Sequence, residues 1–163
     1  MRIIGIDPGT ARTGYAIVEI RGRDSHVLDL GCITTEKTQT QAEKLLEIAS
    51  NIEELIEKWH PDQAAIERLF FSQNVTTAVT VAQARGVILE TIARRKIAHS
   101  EYLPREIKLS VCGNGGADKK AVQKMVQILC NLKAMPQIDD AADAIAVALC
   151  HAQHSAYQQL LRT

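Results

Sequence analysis

A chain of 163 residues, 46% hydrophobic and 23% charged, is long enough to bury one core and too short for two domains of ordinary size. Nineteen basic residues balance nineteen acidic ones, which excludes a strongly basic coat of the kind that binds nucleic acid indiscriminately. No apolar stretch reaches the roughly 20 residues that a bilayer demands, and the opening residues read as a strand rather than a leader, so one soluble cytoplasmic domain over 1–163 is expected, without membrane contact.

In chain order, Arg2 to Asp7 is a short apolar run stopped by Pro8-Gly9, and Gly14 to Ile20 and His26 to Thr34 are rich in Ile, Val and Leu between turn residues. These predict three antiparallel strands. The period then changes: Ala42, Leu45, Leu46, Ala49, Ile52, Leu55 and Ile56 recur at three- and four-residue steps, predicting an amphipathic helix over Thr40 to Trp59 that His60-Pro61 ends. Asp62 to Glu67 fits a fourth strand. Asn74 to Lys96 fits a helix apolar on more than one face, as expected of one that packs on a sheet and on a second subunit. Ile97 to Leu103 predicts a fifth strand, and Pro104 to Val111, Asp118 to Leu132 and Asp139 to Gln159 predict helices. The fold class is therefore α/β, a five-stranded mixed sheet of three antiparallel and then parallel strands flanked by helices. Cys32, Cys112, Cys130 and Cys150 are far apart and form no C-x-x-C pair, so buried reduced thiols are expected.

Two strands of this scheme end on acids, Asp7 before a Pro-Gly turn and Glu67 after the apolar Ala64-Ala65-Ile66. Packing alone does not call for a carboxylate at either place. Asp139, Asp140 and Asp143 open the last helix; Asp139 suits an N-cap, while Asp140 and Asp143 are three apart and share a face. Converging carboxylates repel one another unless cations lie between them, and hard divalent ions such as magnesium take oxygen ligands of this type. Two such ions activate water and stabilise the leaving oxygen in phosphodiester hydrolysis.

Gly5-Ile6-Asp7-Pro8-Gly9-Thr10 with Thr13-Gly14-Tyr15, Ala65-Ile66-Glu67, Gln83-Ala84-Arg85-Gly86-Val87, Gly113-Asn114-Gly115 with Ala117-Asp118-Lys119, and Asp140-Ala141-Ala142-Asp143-Ala144 follow one another along nearly the whole chain. In this order and spacing they resemble the RuvC family of Holliday junction resolvases, members of the ribonuclease H-like superfamily. The resemblance implies a homodimeric endonuclease that nicks two strands of a four-way DNA junction symmetrically. It implies Mg2+ as cofactor, two ions per site with Mn2+ as a substitute, and RuvA and RuvB as partners. Asp7, Glu67, Asp140 and Asp143 match the family's catalytic metal ligands. The adjacent Asp139 competes with Asp140 for that role, and the Asp-Ala-Ala-Asp spacing favours Asp140.

By the same resemblance Phe70 stacks on an unpaired base, a contact worth roughly 1–3 kcal/mol, while Phe71 packs inside. Lys119 contacts phosphate at a helix N-terminus, with Lys108 and Lys120 nearby. His151 and His154 share a helix face beside Cys150, but no further ligands at suitable spacing complete a zinc site. The Gly-Ile-Asp-Pro-Gly-Thr segment also resembles the first phosphate loop of actin-like ATPases, whose two lobes 163 residues cannot supply. A ribonuclease H-like enzyme acting on RNA would share the acids and the fold class, whereas a non-catalytic junction binder would have no use for all four carboxylates. The zero net charge is itself a sum over unlike regions: residues 1–62 carry a net charge of −4, residues 63–134 +6 and residues 135–163 −2. The basic middle leaves room for a DNA surface confined to one face.

Overall fold

The computed structural model describes residues 1–68, 75–134, 136 and 138–160. Strands β1 (Arg2–Asp7), β2 (Arg12–Arg21) and β3 (Asp24–Thr34) form the expected meander, followed by α1 (Gln41–Trp59), β4 (Gln63–Glu67), α2 (Val75–Arg94) and β5 (Ala98–Tyr102). Helices α3 (Pro104–Cys112), α4 (Lys119–Leu129) and α5 (Asp139–Leu160) complete the chain. The sheet has the order β3-β2-β1-β4-β5; β1 pairs antiparallel with β2 and parallel with β4, and β4 pairs parallel with β5.

Strand alternation sorts the side chains into two cores, one on each face of the sheet. Ile4, Ile6, Ile17, Ala64 and Ile66 point to one face and meet Ile48 and Ile52 of α1 and Ala84, Ile88 and Ile92 of α2. Ile3, Ala16, Val18 and Ala65 point to the other and meet α5, with α3 and α4 packed outside it. Every apolar residue named on β1 and β2 is wholly buried, so a one-residue slip of either strand would expose an entire apolar set.

The helix ends follow local chemistry. Thr40 caps α1 through a reciprocal box: Glu43 N–H donates to Thr40 Oγ1 at 3.3 Å, and Thr40 N–H donates to Glu43 Oε2 at 2.7 Å. His60 closes that helix in the left-handed region, directly before Pro61. The sequence pattern extends α4 to Leu132, but the helix stops at Leu129. Asn131 adopts a φ of 49°, and the Leu132 N–H turns back to the Gln127 carbonyl at 2.9 Å, a left-handed termination that asparagine tolerates. Among the described residues no helix is long and apolar enough to cross a membrane.

Candidate active site

The side-chain parity that places Ile4 and Ile6 against α1 and α2 turns Asp7 to the opposite face, towards α5. Glu67 follows the same rule on β4, after Ala65 on the α5 side and Ile66 on the other. Because β1 and β4 are parallel with Ile6 opposite Ile66, the two acids end adjacent strands side by side. Open α/β sheets bind their ligands at this kind of strand end.

Two glycines allow α5 to lie across these strand ends. A Cβ on Gly5 would stand 2.2 Å from the Ala144 carbonyl oxygen, and one on Gly14 would stand 2.1 Å from that of Asp140. The alanine-rich side of α5 therefore rests directly on the backbone of β1 and β2, which brings its first turn over Asp7. Ala141, Ala144 and Ala148 are buried there, and larger side chains would hold the helix away.

Burial dominates the electrostatics. Desolvation, reinforced by the charge and hydrogen bond of Glu67 and by Asp143 and Asp140, pushes the Asp7 carboxyl up to about 9. Glu67 is also raised by burial, against the opposing hydrogen bond from Asp7 and the positive charge of Lys108. Asp143 is raised by burial as well, opposed by Lys119. At neutral pH without a cation, Asp7 and Glu67 share a proton as one titrating pair.

A cleft of about 270 Å³ opens beside Glu67, which lines it together with Asp143, Lys108, Lys119, Ile107 and Val122. Lys108 comes from α3. Lys119 is the first residue of α4, behind the capping Asp118, and its ammonium lies 3.2 Å from Asp139 and 3.5 Å from Asp143. Lys120 is exposed and lies outside the cleft lining. Phe70 and Phe71 lie outside the described residues.

Two acids of α5 are placed differently from the simplest expectation. Asp139 is itself the first helical residue, and its carboxylate accepts from Gln123 at 3.0 Å and pairs with Lys119, so it bridges to α4 where the sequence predicts an N-cap. Asp140 contributes to the negative field at Asp7, yet its Oδ2 accepts a 2.6 Å hydrogen bond from Arg12 Nε. Among the described residues, no three acidic, histidine or cysteine side chains are gathered closely enough around one point to hold an ion as they stand. Arg12 and Lys119 occupy Asp140 and Asp143 instead. The donor chemistry nevertheless suits a hard cation, because the acids are partly buried, offer only oxygen, and in two cases are neutralised by a neighbouring cation.

Arg12 escapes the sequence pattern because the apolar run of β2 begins only at Gly14. The strand starts two residues earlier, and Arg12 has the same parity as Gly14 and Ala16, on the α5 face. His151 is structural: the Tyr102 hydroxyl donates to its Nδ1 at 2.7 Å, and its Nε2–H donates to Gln63 Oε1 at 2.8 Å.

The family model described as "Crossover junction endodeoxyribonuclease RuvC" matches residues 3–151. A protein of that name from Roseiflexus sp. (strain RS-1) is 51% identical over 150 residues, covering 92% of this chain and 89% of the relative. The Thermus thermophilus RuvC structure superposes with a TM-score of 0.91 at 28% identity, covering 97% of each chain. The same protein in complex with a Holliday junction substrate matches with a TM-score of 0.91 at 29% identity, over 95% of this chain and 94% of that one. The paired strand-end acids, the helix laid across them on two glycines and the sequence match over most of the length converge: this chain belongs to the RuvC family of crossover junction endodeoxyribonucleases.

Proposed function

We propose that this chain is a structure-specific endonuclease that resolves four-way DNA junctions in recombination and repair by symmetric hydrolysis of phosphodiester bonds in two strands. The observation that carries this reading is the half-buried Asp7–Glu67 pair at the ends of adjacent parallel strands, beside a cleft that Glu67 lines together with Asp143, Lys108 and Lys119. Family membership and the junction complex of the Thermus thermophilus relative support it.

Asp7, Glu67, Asp140 and Asp143 are the catalytic acids in this reading, and they hold Mg2+, two ions per site, with Mn2+ as a substitute. When bound, such ions activate water and stabilise the leaving oxygen. The chain's own groups set the stage for that chemistry. Lys108 and Lys119 draw the scissile phosphate into the cleft and offset charge growing on its non-bridging oxygens. Ile107 and Val122 lower the local dielectric, which strengthens each of those interactions. Glu67 lines the cleft and is assigned to orienting the attacking water.

Phe70 follows Glu67 by three positions and is assigned to stacking on an unpaired base; Lys120, on the exposed side of α4, is assigned to an outlying phosphate. The working unit is a homodimer, a reading supported by Leu46 of α1 and Val79 of α2, apolar side chains exposed on neighbouring helices. RuvA and RuvB are the proposed partners, the cytoplasm the proposed compartment, and 1–163 a single nuclease domain.

The test is nicking of a synthetic four-way junction with Mg2+, with linear duplex and RNA duplex as controls. Paired nicks that ligase can seal, made in the junction alone, are the expected result. No cleavage of the junction would overturn the reading.

A further inference from the structure

We propose that Arg12 is a positioning residue that acts as a stand-in counter-cation for Asp140, holding its carboxylate on the β2–β3 side of the site until a divalent ion displaces the guanidinium. The proposal rests on the reading of Asp140 as one of the ion-holding acids.

The geometry supplies each part of such an exchange. Arg12 Nε lies 2.6 Å from Asp140 Oδ2, and Cys32 Sγ lies 3.8 Å from the same oxygen. That oxygen is thus turned towards β2 and β3, and Asp140 is not among the residues lining the Glu67–Asp143 cleft. The backbone of Asp140 is pinned, since its carbonyl rests against Gly14 with no room for a Cβ. Recruiting Asp140 to an ion therefore requires rotation of its side chain and no shift of α5. The displaced partner has somewhere to go: the Arg12 side chain is 54% exposed, against 28% for Asp140, so the guanidinium returns to water at small desolvation cost.

A stand-in is needed because the site is crowded with negative charge. Asp7 already bears the repulsion of Glu67, Asp143 and Asp140. Lys119 offsets Asp143 from the α4 side, and Arg12 offsets Asp140 from the β2 side. Lys119 arrives from the helix just before α5 and Arg12 from a strand 128 positions away, and Arg12 makes no other ion pair among the described residues. An ion entering the site must compete with this guanidinium, so Arg12 weakens ion binding while it protects the ion-free fold from its own acids.

The test titrates the intact protein with Mn2+ alone, without DNA, following heat by calorimetry and free Mn2+ by its electron paramagnetic resonance signal. Arg12→Gln is expected to bind Mn2+ about threefold to fivefold more tightly than the wild type, the scale of a partly exposed ion pair. Asp140→Asn is expected to bind more weakly, and adding Arg12→Gln to Asp140→Asn is expected to change nothing further. Should Arg12→Gln fail to fold, Arg12→Lys carries the same test, because an ammonium holds a carboxylate less firmly than the guanidinium fork and tighter binding is again expected. Unchanged or weaker Mn2+ binding in the folded Arg12 variant, with Asp140→Asn still impaired, overturns the role of Arg12 and leaves the acids as read. Wild-type binding by Asp140→Asn overturns both.

Discussion

Asp7 and Glu67 each lie one residue beyond the opposed Ile6 and Ile66 of adjacent parallel strands, and their carboxyls meet in a hydrogen bond inside the fold. Stability of the ion-free protein should therefore depend on pH. The folded state holds the Asp7 proton up to about 9, whereas an unfolded chain releases it near 3.8. Between those values the native state binds more protons than the unfolded one, so stability declines as pH rises and is flat below the window. Thermal melting in chelator across this range should show the decline, Asp7→Asn should flatten it, and added Mg2+ should restore the midpoint most at the alkaline end.

Asp7→Asn and Glu67→Gln preserve shape while removing a negative charge from the pair. Each is expected to slow junction cleavage at least about a thousandfold, or about 4 kcal/mol in the barrier. Junction binding should persist in both, since neither side chain is among the basic groups proposed to meet phosphate. Single-turnover cleavage and a gel-shift titration on the same preparations separate the two effects.

Gly14→Ala should act through α5. Its Cβ would collide with the Asp140 carbonyl at 2.1 Å, and backbone on both sides leaves little to yield. A loss of about 2 kcal/mol in stability is expected from the overpacking, together with a larger proportional loss of cleavage as the first turn of α5 is displaced. Chemical denaturation and cleavage rates measured side by side test this; a stable and fully active Gly14→Ala would show that the helix seats itself by other contacts.

Lys119 and Lys120 are neighbours in sequence with different surroundings. Lys119 lines the cleft and pairs with Asp143, while Lys120 is exposed outside it. Lys120→Ala should weaken DNA binding modestly, reduce the salt dependence by about one charge and leave saturated cleavage intact. Lys119→Ala should lower the cleavage rate even at saturating junction.

Much of the fold was legible because its signals are local. The shift from strand alternation to three- and four-residue spacing marks α1, the Thr40–Glu43 box marks its start, and Pro-Gly or His-Pro steps mark the stops. The difference at α4 is also local in scale: the apolar Cys130 and Leu132 carry the helical spacing past Asn131, the residue whose tolerance of the left-handed region ends the helix. The juxtaposition of Asp7 and Glu67 was legible because an acid at the end of a buried strand has no packing role to explain it, and both strands belong to one sheet.

The sequence by itself determined the order of elements, the two strand-end acids, the acid-bearing face of the last helix and the family to which the chain belongs. Tertiary structure decided which carboxylates converge and which cations hold them. Arg12 meets Asp140 across 128 positions, and Lys119 bridges Asp139 and Asp143 from another helix. Such pairings depend on strand parity, on the seat that Gly5 and Gly14 give α5, and on burial that makes an unpaired charge costly. These are properties of the assembled sheet and helices, and no single segment carries them.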